Sequence, residues 1–142
     1  MTQTLHLVEP DMIQDVWPIA RPLVEKALDH SEGQMLSTDT LRMILNNKQQ
    51  LWVGFEEEEL FTAVVTEPIH YPRHKVLRII TFATQTGYGM DHWYDTIVDT
   101  LSRFGRAIDC NALEAWCRKG LARKLDWEHN YTVIVKPIKL KE

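Results

Sequence analysis

Apolar positions along this chain alternate first at period two, then at three and four, in blocks that read as successive strands and helices. Leu5 to Val8 is a short strand-like run, broken by Glu9-Pro10-Asp11. Ile13, Val16, Trp17, Ala20, Leu23, Val24, Ala27 and Leu28 then recur at helical spacing on one face. Pro18 and Pro22 fall inside that pattern and predict a kink or two short helices, since proline removes a helical donor. A polar loop is expected from Asp29 to Gln34. The spacing of Leu41, Ile44 and Leu45 predicts a second helix from about Thr38 to Asn46, capped by Ser37 or Thr38.

Gln50 to Phe55 and Leu60 to Thr66 read as a hairpin, with Glu56 to Glu59 as its solvated tip. Consecutive carboxylates on a turn point apart, so this acidic run does not read as a metal site. Pro68 to His74 reads as a loop. Val76 to Thr84, rich in β-branched and aromatic residues, is the clearest strand. It runs into Gln85-Thr86-Gly87-Tyr88-Gly89, and a helix is expected from near Asp91 to about Ile108, with Trp93, Ile97, Val98, Leu101, Phe104 and Ile108 on one face. Leu113 to Trp116 reads as a strand, Leu121 and Leu125 as a short helix, and Tyr131 to Val135 as a last strand. The order β-α-α-β-β-β-α-β-α-β predicts an α/β fold, a mixed twisted sheet flanked by helices on both faces.

Composition narrows the function classes. A chain of 142 residues reads as one domain, and 44% hydrophobic with 25% charged residues is ordinary for a soluble globular protein. The start of the chain shows no basic stretch leading into an apolar run, and no segment approaches bilayer-spanning length. A cytoplasmic protein is expected, or one packaged in a particle assembled inside a cell. The net charge of −4 gives no general electrostatic reason for nucleic-acid binding, although Arg118, Lys119, Arg123 and Lys124 cluster, as do Lys136, Lys139 and Lys141. Cys110 and Cys117 match neither a CxxC redox pair nor a zinc site, and burial as small hydrophobes in a reducing compartment accounts for them. No histidine pair has metal-ligand spacing and no Gly-x-Ser-x-Gly elbow is present, so no metal and no nucleophilic serine is expected.

Candidate chemistry centres on the glycine turn. A strand-to-helix turn leaves unpaired N–H groups at the helix start, where they can hold a phosphate or pyrophosphate. Glycine lets the backbone approach that anion with no Cβ in the way. His92 follows the turn and either contacts a phosphate or only fills the first helical turn. Glu67, His70 and His74 precede the fourth strand, where an acceptor site would open; an ordinary exposed loop also accounts for the histidines.

With this element order, the chain resembles the GNAT (Gcn5-related N-acetyltransferase) family. The family's turn has the pattern Gln/Arg-x-x-Gly-x-Gly/Ala. Gln85, Gly87 and Gly89 supply these residue types, with the glutamine one residue closer to the first glycine. The resemblance implies acetyl-CoA, or another acyl-CoA, as cofactor and an amine acceptor as partner. It implies that the amides of Gly87, Tyr88 and Gly89 hold the pyrophosphate, that Gln85 shapes the turn, and that backbone groups of Phe82, Ala83 and Thr84 polarise the thioester carbonyl. The amine would attack where the fourth and fifth strands part. Leu113 to Trp116 looks like the family's fifth strand, and Asn130-Tyr131 takes the place of its Gly-Phe.

Two departures bear on catalysis. Many members carry a glutamate on the fourth strand, where this chain has Ile79, Ile80 and Thr81. Many place a tyrosine shortly before Gly-Phe, where this chain reads Leu125-Asp126-Trp127-Glu128-His129. Catalytic residues are therefore unassigned, and slow or absent turnover is expected. The spread of Trp17, Leu51-Trp52-Val53, Trp93, Trp116 and Arg118-Lys119-Gly120 is also similar to small GNAT-like proteins of tailed phages, some of them associated with particles. That similarity implies an alternative: a phage-encoded, non-enzymatic virion or interaction protein that keeps the fold as a packing module and contacts other virion proteins.

Overall fold

The computed structural model describes residues 2–29, 35–115, 125–128, 134 and 136–138. Its elements are β1 (Gln3–Leu7), a 3-10 turn (Pro10–Met12), α1 (Ile13–Leu28), α2 (Ser37–Leu45), β2 (Gln50–Glu56), β3 (Glu59–His70), β4 (Lys75–Thr84), α3 (Met90–Ala107) and β5 (Ala112–Ala115). The five strands lie side by side in chain order. The first four are mutually antiparallel, and β5 returns through α3 to lie parallel to β4. The expected mixed α/β sheet with helices on both faces is present.

Strand alternation divides the core in two. Leu51, Val53, Ala63 and Val65 pack with Ile13, Ala20, Leu23 and Val24 of α1 and Ile44 of α2. Trp52, Phe61, Val64 and Leu77 turn the other way, onto Ile97 and Leu101 of α3. Period two on the strands and period 3.6 on the helices assign these positions to facing surfaces, except Phe61, an extra residue of β3 where Gly54 stands opposite Thr62 and Phe55 opposite Leu60. The Trp52 ring meets Phe104 edge-on at 5.0 Å, while its Nε1 donates to Thr66 Oγ1 at 3.0 Å, so the indole is buried without an orphaned donor.

Several expectations need correcting. α1 is one helix and not two, because Pro18 and Pro22 stand four residues apart on its exposed side. The carbonyls deprived of donors there face water, so the helix continues. Neither Ser37 nor Thr38 caps α2: the Leu36 N–H donates to Asp39 Oδ2 at 3.0 Å, and the Ser37 hydroxyl is turned to Glu25. β3 continues through Pro68 to His70, so Glu67 and His70 are strand residues and not loop residues. β2 starts at Gln50, opposite Thr66, and beyond that point β3 pairs with β4 alone among the described residues, an edge setting in which a proline is tolerated. The turn of the first hairpin is Glu57-Glu58 alone, both residues at positive φ. Glu56 is drawn into β2 and is 9% exposed. Trp116, Cys117, Leu121 and most of the expected strand Tyr131 to Val135 lie outside the described residues, as does the centre of the expected loop at 30–34.

One irregularity positions the site. Val65 stands opposite Thr81 while Thr66 stands opposite Ile79, so Ile80 is an extra residue on β4, a β-bulge. The side chains record the same slip, with Leu77, Ile79 and Phe82 all joining the α3 side of the core. Pairing of β4 with β5 runs from Val76 to Ile79 and stops there among the described residues. Among the described residues, Thr81 to Thr84 of β4 pair with β3 alone.

Candidate functional site

The glycine turn closes the free end of β4. The Gln85 N–H donates to Phe61 O at 2.8 Å, which anchors the strand end. The Tyr88 N–H reaches Gln85 O at 3.4 Å, a long bond. Gly87 sits at φ +98°, a region that L side chains rarely adopt, with open space where a Cβ would stand. Gly89 is different: it is the N-cap of α3 with ordinary extended backbone (φ −77°), and a Cβ there would meet Asp91 Oδ1 at 3.2 Å. No side chain caps α3. The amides of Gly87, Gly89, Met90 and Asp91 therefore have no hydrogen-bond partner among the described residues. An eighteen-residue helix with an open N-terminus presents partial positive charge and free donors at one point.

Beneath the turn lies a polar and aromatic floor. The Tyr88 ring stacks on Phe61 at 5.0 Å, and His92 meets Tyr88 edge-on at 5.4 Å. His92 Nε2 lies 2.8 Å from Glu56 Oε1, and Gln3 Nε2 donates to the same oxygen at 3.1 Å. Burial works to raise the Glu56 pKa, but the hydrogen bonds from Gln3 and His92 and the His92 charge outweigh it, and the carboxyl is held below its ordinary range. Burial and the nearby carboxylates of Glu56 and Glu59 push the Tyr88 phenol up. His92 thus joins the start of α3 to the end of β2.

The paired half of β4 carries a second cluster. Arg78 Nε donates to Glu114 Oε1 at 2.6 Å, Tyr71 Oη donates to Glu114 Oε2 at 2.8 Å, and Arg78 Nη2 reaches Tyr71 Oη at 3.2 Å. The hydrogen bond to the Glu114 carboxylate, aided by burial, raises the Tyr71 pKa. Arg78 stands opposite Glu67 of β3, and Glu67 Oε1 accepts from Gln49 Nε2 at 2.8 Å. This cluster clamps β4 to β5 below the bulge.

No protein-family profile and no curated protein sequence matches the chain. Solved structures do match. An aminoglycoside acetyltransferase from an uncultured soil metagenomic sample superimposes with a TM-score of 0.72 at 10% identity, over 98% of this chain and 100% of the other. An aminoglycoside N-acetyltransferase in complex with CoA gives 0.70 at 9% identity, over 98% and 96%. A GNAT family acetyltransferase from Staphylococcus aureus gives 0.67 at 12% identity, over 97% and 100%. The chain has the GNAT fold. At these identities the likeness speaks for architecture and leaves the chemistry to the residues themselves.

Within the GNAT fold, the residues singled out from the sequence fall in two groups. Phe82, Ala83 and Thr84 form the end of β4, paired with β3, and Gln85, Gly87, Tyr88 and Gly89 form the turn that follows it directly. Two carbonyls in the first group are already engaged: Ala83 O accepts from Thr62 Oγ1 at 2.8 Å, and Thr84 O from Lys26 Nζ at 3.1 Å. Glu67 and His70 lie at the far end of β3, away from the turn, and the ring of His74 tilts against Tyr71 at 4.9 Å. The bulge at Ile80 and the Glu56–His92 pair had no sequence signal. Glu56 was hidden inside a run of four glutamates that hydropathy assigns wholly to solvent. Among the described residues no three of His, Cys, Asp and Glu group as a metal site, and no helix is long and apolar enough to cross a membrane. Trp127 Nε1 donates to Tyr94 Oη at 2.8 Å and ties the segment 125–128 to α3.

Proposed function

We propose that this protein binds acyl-CoA at the Gln85–Gly89 turn and is an N-acyltransferase toward an amine acceptor. The observation that carries the reading is the open N-terminus of α3. Its free amides stand at the end of a strand that is bulged at Ile80, and GNAT acetyltransferases share this fold over almost the whole chain. The amides of Gly87 and Gly89, and that of Tyr88 once its long bond is released, are the donors for the pyrophosphate. The thioester would lie along Phe82 to Thr84, where the strand edge away from β3 would supply backbone dipoles for the carbonyl oxygen. In the transfer, the amine nitrogen bonds to the thioester carbon, the carbon–sulfur bond breaks, the amine gives up a proton and the CoA thiolate takes one.

No glutamate on β4 stands ready for the proton, so turnover is expected to be slow, by a factor of about 10² to 10⁴ for a missing acid or base. A thermal-shift scan with acetyl-CoA tests the binding step, because a ligand held only by the native state raises its stability. No shift at millimolar acetyl-CoA would refute it. The alternative drawn from the tryptophan pattern, a phage-encoded virion or interaction protein, predicts association with particles. Mass spectrometry of purified particles tests it, and particle association without CoA release would replace the enzyme reading.

A further inference from the structure

Polar side chains form a row at matched height across the α1/α2 face of the sheet. Glu67 of β3 stands opposite Arg78 of β4, which stands opposite Glu114 of β5. Directly opposed residues share a face, and Glu67 follows Ala63 and Val65, which pack toward α1. Arg78 is turned to Glu114 and Tyr71. Half-buried Glu67 has only the Gln49 amide as a hydrogen-bond partner among the described residues and no salt bridge among them, the guanidinium of Arg78 opposite being turned to Glu114 and Tyr71.

Gln49 supplies the second observation. It is 4% exposed, and its Oε1 has no partner among the described residues. Turning the amide over gives no relief, because it would set the oxygen against the Glu67 carboxylate. Thr81, at the bulge and also 4% exposed, likewise has an unpartnered Oγ1. It stands opposite Val65, so it lies on the same face as Glu67, one diagonal step toward the place where β4 and β5 part. Buried polar atoms are normally satisfied, and exceptions ask for a ligand, a water or a functional reason. Here the unmet groups include acceptors, one of them beside a negative charge. An anion would meet Glu67 as a like charge. A primary ammonium, with three donors and no acceptor, is the complement.

We propose that Glu67, backed by Gln49, is the seat for a primary ammonium group, and that the amine acceptor docks its cation there, on the α1/α2 face. The word acceptor rests on the acyl-transfer reading above; the ammonium seat itself does not. Glu67 is not replaced by Glu114, which already receives Arg78 and Tyr71.

The Gln49 side-chain amide reports on the seat directly. Protein labelled with ¹⁵N is titrated with ethylammonium chloride, and with sodium chloride at matched ionic strength. A saturable shift of the Gln49 amide is expected with ethylammonium only. Glu67→Gln, an isosteric change, should weaken the response at least about tenfold while the melting temperature holds. The exposed control Glu9→Gln should leave it unchanged. Equal responses to the two salts, or a response that survives Glu67→Gln, would overturn the proposal. Should Glu67→Gln fail to fold, Gln49→Met read at the ¹³C-labelled Glu67 carboxyl decides the same question: a weakened ethylammonium response supports the seat, an unchanged one refutes it. A parallel acetyl-CoA titration separates the two readings. Failure of acetyl-CoA to bind removes the acyl-transfer reading and leaves the ammonium result standing on its own. Loss of acetyl-CoA binding in Glu67→Gln would place Glu67 on the donor side and overturn its assignment.

Discussion

α2 and α3 begin alike in that the third helical amide donates to the N-cap carbonyl (Asp39 N–H to Leu36 O, His92 N–H to Gly89 O), but only at α2 does a side chain take the N-cap amide. At the start of α2, Asp39 reaches back to take the Leu36 N–H, and the amides of Asp39 and Thr40 both donate to Leu36 O. The Leu36 amide is thereby met by the chain itself, while those of Ser37 and Thr38 have no partner among the described residues. At the start of α3, Gly89 offers no side chain, Asp91 does not cap, and the preceding residues follow a path that needs a positive φ at Gly87. A helix end with unmet donors is costly unless water or a ligand meets them. The proposed anion site rests on this unmet N-cap amide beside a bulged strand; at α2 the equivalent amide is taken by Asp39.

Four changes break or sharpen that contrast, beginning with the largest effect. Leu101 is fully buried between α3 and the sheet, and Leu101→Ala should cost about 2–5 kcal/mol in a urea unfolding experiment. An effect below about 1 kcal/mol would mean that α3 does not depend on this face for its place. Gly87→Val should cost about 1–2 kcal/mol through its left-handed backbone. It should also abolish acetyl-CoA binding, while circular dichroism shows the helices intact. Gly89→Ala meets only the mobile end of Asp91, so it should leave stability nearly unchanged and reduce binding by steric approach alone. Asp39→Ala removes the reciprocal cap of α2 and should cost about 0.3–1.5 kcal/mol with no change in acetyl-CoA affinity. Loss of affinity in Asp39→Ala would show that the two helix starts are not independent.

The smallest expected effect concerns pH. The Glu56 carboxyl is held below its ordinary pKa in the folded protein, so its interactions add stability above the unfolded value. That contribution is lost as pH falls through the lower folded value. The melting-temperature difference between wild type and Glu56→Gln should therefore be present at neutral pH and shrink below about pH 4.5, the ordinary glutamate value. A difference that grows on acidification would contradict the Glu56–His92 pairing.

The sequence made the frame of the site legible but not its detail. Val76 to Thr84, Gln85 to Gly89 and the face through Ile97 and Leu101 could be read directly, because periodicity and glycine act locally. The bulge at Ile80 could not, since an extra residue exists only relative to the register of β3, which no local pattern in Ile79-Ile80-Thr81 encodes. Glu67 was read as a loop residue because Pro68 looked like a breaker; the end of β2 at Gln50 is what makes that proline harmless. Glu56 looked solvated for a similar reason. Its burial depends on His92 and Gln3, 36 and 53 residues away in the chain.

Calorimetric titration of acetyl-CoA into wild type and Gly87→Val tests the open helix start most directly. Saturable one-to-one binding to wild type, and none to the folded variant, is the expected result. Equal binding by both proteins would place the ligand elsewhere, and no heat from wild type at millimolar ligand would contradict the assignment of the Gln85–Gly89 turn altogether.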